Sequence, residues 1–267
     1  MRSHRTCCCI AGFLASLFCL VLIRNDQQGV VSSFQTTPPS EENLYSIDPL
    51  PGSQALEKRR QLDDQPVLPE GFVQSELKAA GLQRFLRVQD YFQPTDGPIY
   101  RSSSPFYTNR DSTQKCRPST AEFLKRHGIK TVISLNSRAR NSCFRRMYEP
   151  YGITYVAVPV WDMRAPRYKD LDNIVRAFQT GRHRGGILVW CGYGHGRAGT
   201  AITAMQLSVQ ASLPPERRAL VKKTQLKALL SKNLVEVKMQ RRILKDYYRR
   251  LKTRCLATKD RRVSIES

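Results

Sequence analysis

Acidic residues are scarce in this chain of 267 residues. Only 22 Asp and Glu stand against 44 Lys and Arg, a formal charge of +22 with a pI near 10.1. Such a surface draws anionic partners, whether phosphorylated protein, inositol phosphates, phosphoinositide membranes or RNA, without choosing among them. Histidine is rarer still, at four residues, and none lies at metal-ligand spacing. The eight cysteines, at 7, 8, 9, 19, 116, 143, 191 and 255, contain no C-x-x-C pair, so neither zinc nor any other metal or cofactor is expected. No RNA-binding aromatic motif accompanies the basic residues, which leaves nucleic acid disfavoured as a partner. Cys116 and Cys143 read as buried free thiols, a bond between them being the alternative in an oxidising compartment.

Long apolar runs are confined to the N-terminus, where Cys7 to Ile23 follows Arg2, His4 and Arg5. This is short for a spanning helix and long for the core of a signal peptide. No clear A-x-A site follows, and Arg24, Asn25 and Asp26 close the run, which suits an uncleaved anchor better than a cleaved signal. The chain is therefore expected to be membrane-associated through residues 7–23, secretion being the alternative. The positive-inside rule keeps the N-terminus cytosolic and exports the rest. Cys7, Cys8 and Cys9 are either palmitoylation candidates or simply part of the run. The sequence thus divides into an anchor or signal segment (1–26), a disordered Ser-, Pro- and acid-rich linker (27–70), a domain (71–253) and a polar tail (254–267).

Within the domain, short strands are expected around Phe85–Val88 and Gly97–Ser102, then at Thr131–Leu135 and Ile153–Val160. Ser119-Thr120-Ala121-Glu122 reads as a capping box opening a helix that Gly128 stops, with His127 at its C-terminal end favouring the helix dipole. Leu171, Ile174, Val175 and Phe178 mark the buried face of a helix ended by Gly181. Further helices are expected to about Ala211, from Glu216 to Leu230, and from Asn233 to about Thr253. Together they predict an α/β domain with a central, mostly parallel sheet flanked by helices.

The informative stretch runs from Ile187 to Thr200. Ile187, Leu188, Val189 and Trp190 read as a buried strand; Cys191, Gly192, Tyr193, Gly194, His195, Gly196 and Arg197 form a glycine-rich loop; a helix opens after it. Glycines let successive N–H groups turn inward, and the helix start adds partial positive charge, so the loop is an anion cradle. A thiol there is expected to ionise easily: lowering a pKa of ~8.5 to ~5 corresponds to about 5 kcal/mol. Arg197 is placed to grip two oxygens of a phosphate held against the sulfur.

This C-x5-R loop, in its strand-to-helix setting, resembles the signature of cysteine-dependent phosphatases, particularly the compact dual-specificity branch, over roughly residues 85–252. The resemblance implies Cys191 as nucleophile, Arg197 as phosphate clamp, Asp162 in Trp161-Asp162 as general acid, and residues 192–196 with Arg164 as substrate contacts. It also implies that an arginine like Arg101 supports the floor of the site. Asp170 and Asp172 compete with Asp162 but fall on the following helix. Two positions depart from the family: Trp190 replaces the usual histidine, and Ala198 replaces the usual hydroxyl residue. The implied substrates are first phosphotyrosine and phosphoserine/threonine proteins, then phosphoinositides or inositol phosphates, with a catalytically weak phosphate-binding module as the other class. His195 is either a basic contact for inositol phosphates or an exposed loop residue. Arg138, Arg140, Arg145 and Arg146 form either a rim for a second anion or a solvated loop.

Overall fold

The buried run at Ile187 becomes the central strand of a five-stranded sheet. The computed structural model describes residues 68–219 and 223–266, with side chains of the last helix described as far as Thr253. The membrane segment and most of the linker read from the sequence therefore lie outside the described residues. Among the described residues no helix is long and apolar enough to cross a membrane.

The strands are β1 (Leu86–Val88), β2 (Ile99–Ser103), β3 (Ile129–Ser134), β4 (Thr154–Ala157) and β5 (Gly186–Cys191). Their order is β1-β2-β5-β3-β4, with β1 antiparallel to β2 and the other neighbours parallel, matching the mostly parallel α/β sheet expected. The helices are α1 (Gln74–Ala79), α2 (Pro118–Arg126), α3 (Ser142–Tyr148), α4 (Tyr168–Gly181), α5 (Gly196–Ser212), α6 (Lys223–Lys232) and α7 (Lys238–Glu266).

Side chains alternate across a strand, so β5 feeds both cores. Ile187, Val189 and Cys191 join the face covered by α4, α5, α6 and α7, whereas Leu188 and Trp190 join the face covered by α1, α2 and α3. The alternation places Trp190 in the core opposite to that of Cys191. It packs with Phe144, Tyr148 and Tyr155 on the far face, and its Nε1 donates to Ser134 Oγ at 2.7 Å. Helix α5 is buried on every side along almost its whole length, and Gly199 is required there because a Cβ would lie 1.9 Å from the Asn233 carbonyl.

Several expectations are corrected. No capping box opens α2; Pro118 occupies its first turn, while Ser119 and Thr120 donate instead to the carbonyls of Ala79 and Ala80. His127 does end that helix, but it also pairs with Glu76 Oε2 at 3.1 Å and stacks on Phe72. Part of the arginine loop is helical, as α3, capped by Asn141. Helix α7 begins later than expected and continues through the stretch read as a tail, to Glu266. Cys116 and Cys143, read as free thiols, form a disulfide across 27 residues.

Closing a loop of that length removes unfolded-chain entropy worth roughly 3 kcal/mol. Cys116→Ala/Cys143→Ala is expected to lower the denaturant midpoint by the equivalent of about 3 kcal/mol. Reduction of the native chain with a dithiol should reproduce the shift, and a midpoint insensitive to both would contradict the cross-link.

Candidate active site

Cys191 ends β5, where the parallel strands finish and the chain must turn to start α5. In sheets of this kind ligands gather outside the carboxyl ends of the strands. The turn is made possible by Gly194, at φ +105°, where a Cβ would lie 2.7 Å from the backbone of Ser102. Arg101, buried on β2, holds the turn from below: Nε and Nη2 donate to the Gly194 carbonyl and Nη1 to that of Asn233. The floor role expected of this arginine has its geometry here.

Cys191 is 2% exposed, and its sulfur accepts the Gly194 N–H at 3.2 Å. Burial pushes the Cys191 thiol above its ordinary value, outweighing the Arg197 charge and the N–H groups of Ala198 and Gly194, while Glu236 raises it further. The loop alone predicts an easily ionised thiol; here the burial of Cys191 opposes that effect, and the Arg197 charge counters burial without outweighing it.

Arg197, in the first turn of α5, is 3% exposed. Its Nη1 and Nη2 donate to Asp111 Oδ2 and Oδ1 at 2.6 and 2.8 Å, a bidentate pair. Nη1 also donates to the Val160 carbonyl at 2.8 Å, and Nη2 meets Asp162 Oδ1 at 2.8 Å. The guanidinium is held charged, above its usual range, because its carboxylate partners and the nearby sulfur outweigh burial. The two carboxylates differ in depth: the Asp111 side chain is 10% exposed and that of Asp162 is 67% exposed. Burial alone raises the Asp111 pKa, but hydrogen bonds and charge from Arg197, with the Ser137 N–H, bring it below the usual value.

Asp111 is the residue the sequence reading missed. It lies 86 positions from Arg197, in a 3-10 turn (Asp111–Thr113) within a polar connection that shows no periodicity. The Ser137 N–H and the Asn136 side chain fix it further, the latter donating to its carbonyl. The only signal available was general, since a buried arginine demands a buried anion.

The other candidates sort themselves. Asp162 reaches Arg197, whereas Asp170 caps α4 and Asp172 accepts from the Tyr247 hydroxyl. His195 is 6% exposed, edge-on to Tyr193 at 4.8 Å, and so is not an exposed loop residue. Tyr193 carries the Arg84 guanidinium 3.4 Å over its ring. The Gly196 N–H turns away from the sulfur, to Glu236 Oε2 at 3.2 Å. Gly192 lies beneath Asp111, Tyr107 and Arg197, where an added Cβ would meet all three. Tyr107 has its hydroxyl pushed up to about 12 by burial and by the charges of Asp162, Asp111 and Cys191, and so stays a donor at neutral pH. The backbone of Arg164 is joined to α7 through Gln240, and its side chain is exposed. Arg138, Arg140, Arg145 and Arg146 are exposed as well.

Residues 109–210 match the family described as "Polymorphic toxin system, DSP-PTPase phosphatase". That span contains Asp111, Asp162, Cys191 and Arg197. No curated protein matches the chain. Solved structures of similar course include kinase associated phosphatase, at 18% identity over 58% of this chain and 87% of that one, TM-score 0.44. They include the active form of Tk-PTP (20% identity, 61% and 99% covered, TM-score 0.41) and PTPMT1 (16%, 60% and 94%, TM-score 0.44).

Removing the charge of Asp111 strands a buried guanidinium, so Asp111→Asn is expected to destabilise the fold by about 3 kcal/mol. Because the folded pKa of Asp111 is depressed, its contribution is complete above the unfolded value of about 4 and is lost as pH falls through the folded value. The stability gap between wild type and variant should accordingly be level above about pH 5 and narrow below about pH 4. Denaturation at stepped pH checks this, and a gap that widens toward acid would contradict the pair.

Proposed function

We propose that this chain is a cysteine-dependent phosphatase of the dual-specificity-like branch, as the family match over residues 109–210 supports, and that it hydrolyses phosphomonoesters through a phosphocysteine at residue 191. The observation that carries the proposal is the Arg197 guanidinium, fixed on one edge by Asp111, which leaves its Nε–Nη2 edge for a second pair of oxygens. Nε and the Nη2 hydrogen now given to Asp162 form a second fork, on a guanidinium close enough to Cys191 for its charge to act on the sulfur.

A phosphate dianion entering the site takes that fork from Asp162, an exchange favoured because the Asp162 carboxylate is 67% exposed and regains water when released, while a dianion carries the larger charge. The Cys191 thiol passes its proton to the released Asp162 carboxylate, the resulting thiolate attacks phosphorus, the ester P–O bond breaks, and the departing oxygen takes that proton from Asp162. Arg197 and inward N–H groups of the loop stabilise the charge on the three equatorial oxygens. In the second step Asp162 accepts a proton from water, whose oxygen attacks phosphorus as the P–S bond breaks. No hydroxyl stands at Ala198 to stabilise the departing sulfur, so this second step is the slow one. The depth of Cys191 favours a long, rigid phosphoryl carrier, which supports phosphotyrosine in proteins as the first substrate. Phosphoinositides or inositol phosphates are the alternative, supported by the charge of +22.

The raised thiol and Ala198 also favour a second reading, a module that binds phosphate and turns over little. The compartment is proposed to be oxidising, with the chain anchored by residues 7–23 or secreted. The Cys116–Cys143 disulfide supports this, since reducing compartments keep such thiols apart.

Cys191→Ser is expected to reduce hydrolysis of an aryl phosphate to background, and Asp162→Asn to lower kcat by about 10²–10³. Wild type should show a burst followed by slow turnover, with phosphocysteine trapped by acid quench. Ala198→Ser should raise steady-state kcat severalfold with the burst unchanged. Absence of both burst and adduct favours the binding module, and turnover surviving Cys191→Ser ends the proposal. A panel of phosphotyrosine peptides, phosphoinositides and inositol phosphates ranks the substrates.

A further inference from the structure

Helix α7 carries a strip of cations that this chemistry does not use. Lys238, Arg241, Arg242, Lys245 and Arg249 recur at helical spacing and line one groove of about 440 Å³, with Asp246 the single carboxylate among them. Asp246 is held by Arg249 at 2.8 Å, while Lys238, Arg241, Arg242 and Lys245 make no ion pair among the described residues. Like charges at i and i+4, as at 238/242, 241/245 and 245/249, disfavour a helix. An external anion would relieve that repulsion.

The strip starts beside the candidate site. Glu236, just ahead of α7, accepts the Gly196 N–H, and Gln240 donates at 3.0 Å to the carbonyl of Arg164 in the loop that bears Asp162. Of four large hydrophobic side chains exposed among the described residues, three lie on these two segments: Trp161 at 68%, Met163 at 39% and Met239 at 46%. From Lys238 to Arg249 the helix rises about 16 Å, which an extended peptide covers with about five residues.

We infer that this groove docks an acidic stretch flanking the phosphorylated residue of a protein substrate; the inference rests on the phosphatase reading above. A single strip of cations along one helix matches one extended chain with carboxylates on successive residues, whereas a bilayer presents a plane and duplex RNA a broader cylinder. The exposed Trp161 and Met163 supply apolar contact where the phosphorylated side chain enters. The carboxylates raise the rate of encounter and set the direction in which the peptide lies.

The test uses the full chain carrying Cys191→Ser and fluorescence anisotropy of phosphotyrosine peptides. One peptide has four Glu beside the phosphotyrosine, on either side in turn, and its control has Gln. The acidic peptide should bind about 30-fold tighter, and the preference should fade as salt shortens the screening length. Arg242→Glu/Lys245→Glu should erase the preference while leaving aryl phosphate hydrolysis unchanged in the chain that retains Cys191. Equal binding of the two peptides, or a preference that survives charge reversal, overturns the inference. So does binding to anionic phospholipid vesicles, or to single-stranded RNA, that the double variant loses in the absence of any peptide preference. The two readings fail separately: a native chain that leaves aryl phosphate intact sinks the phosphatase, whereas acid-selective binding by the Cys191→Ser chain upholds the groove.

Discussion

The buried guanidinium of Arg197 is the constraint around which the carboxyl edge of the sheet is built. A charge this deep destabilises a fold unless neutralised and hydrogen-bonded. The chain meets the demand with groups from separate connections. Asp111 comes from the segment after β2, and the Val160 carbonyl from the segment after β4. Asn136 and Ser137, after β3, fasten Asp111 in turn. Each of these segments is irregular, so its place is set by this polar cluster more than by its own propensity. The Cys116–Cys143 bond ties the segment carrying Asp111 to the start of α3.

One positive charge is divided between two carboxylates. Burial sets the Cys191 thiol above its ordinary value, and the Arg197 charge, also engaged by Asp111 and Asp162, opposes that rise without reversing it. The exposed Asp162 is the dispensable partner and the buried Asp111 the permanent one, because an exposed pair is screened and a buried one cannot be broken without stranding a charge. In the proposed reaction this difference does mechanical work: substrate displaces the weaker partner, and the displaced carboxyl is the group required at the leaving oxygen.

Local pattern made much of this legible. The uninterrupted run at Ile187–Trp190, the glycines after Cys191 and the apolar face of α4 pointed to a strand, a tight turn and a packed helix, and all are present. Asp162 was separable from Asp170 and Asp172 because a loop position and a helix position differ in sequence. What escaped depends on contacts distant in the chain. Asp111 and the Cys116–Cys143 bond are pairings across polar loops, where no period restricts the partner. The capping box failed because Pro118 suits the first helical turn and the hydroxyls of Ser119 and Thr120 found carbonyls at the end of α1. The face that Trp190 occupies follows from the alternation of side chains along β5, which puts it in the core opposite to that of Cys191.

The central claim is that Asp111 holds one edge of Arg197 permanently and leaves the other to phosphate. A crystal structure of the full chain with vanadate tests it most directly. The account predicts vanadium at the Cys191 sulfur, its oxygens on Nε and Nη2 of Arg197, Asp162 withdrawn from the guanidinium, and both Asp111 hydrogen bonds intact. Vanadate bound elsewhere, or bound at Arg197 with Asp111 displaced, would contradict it.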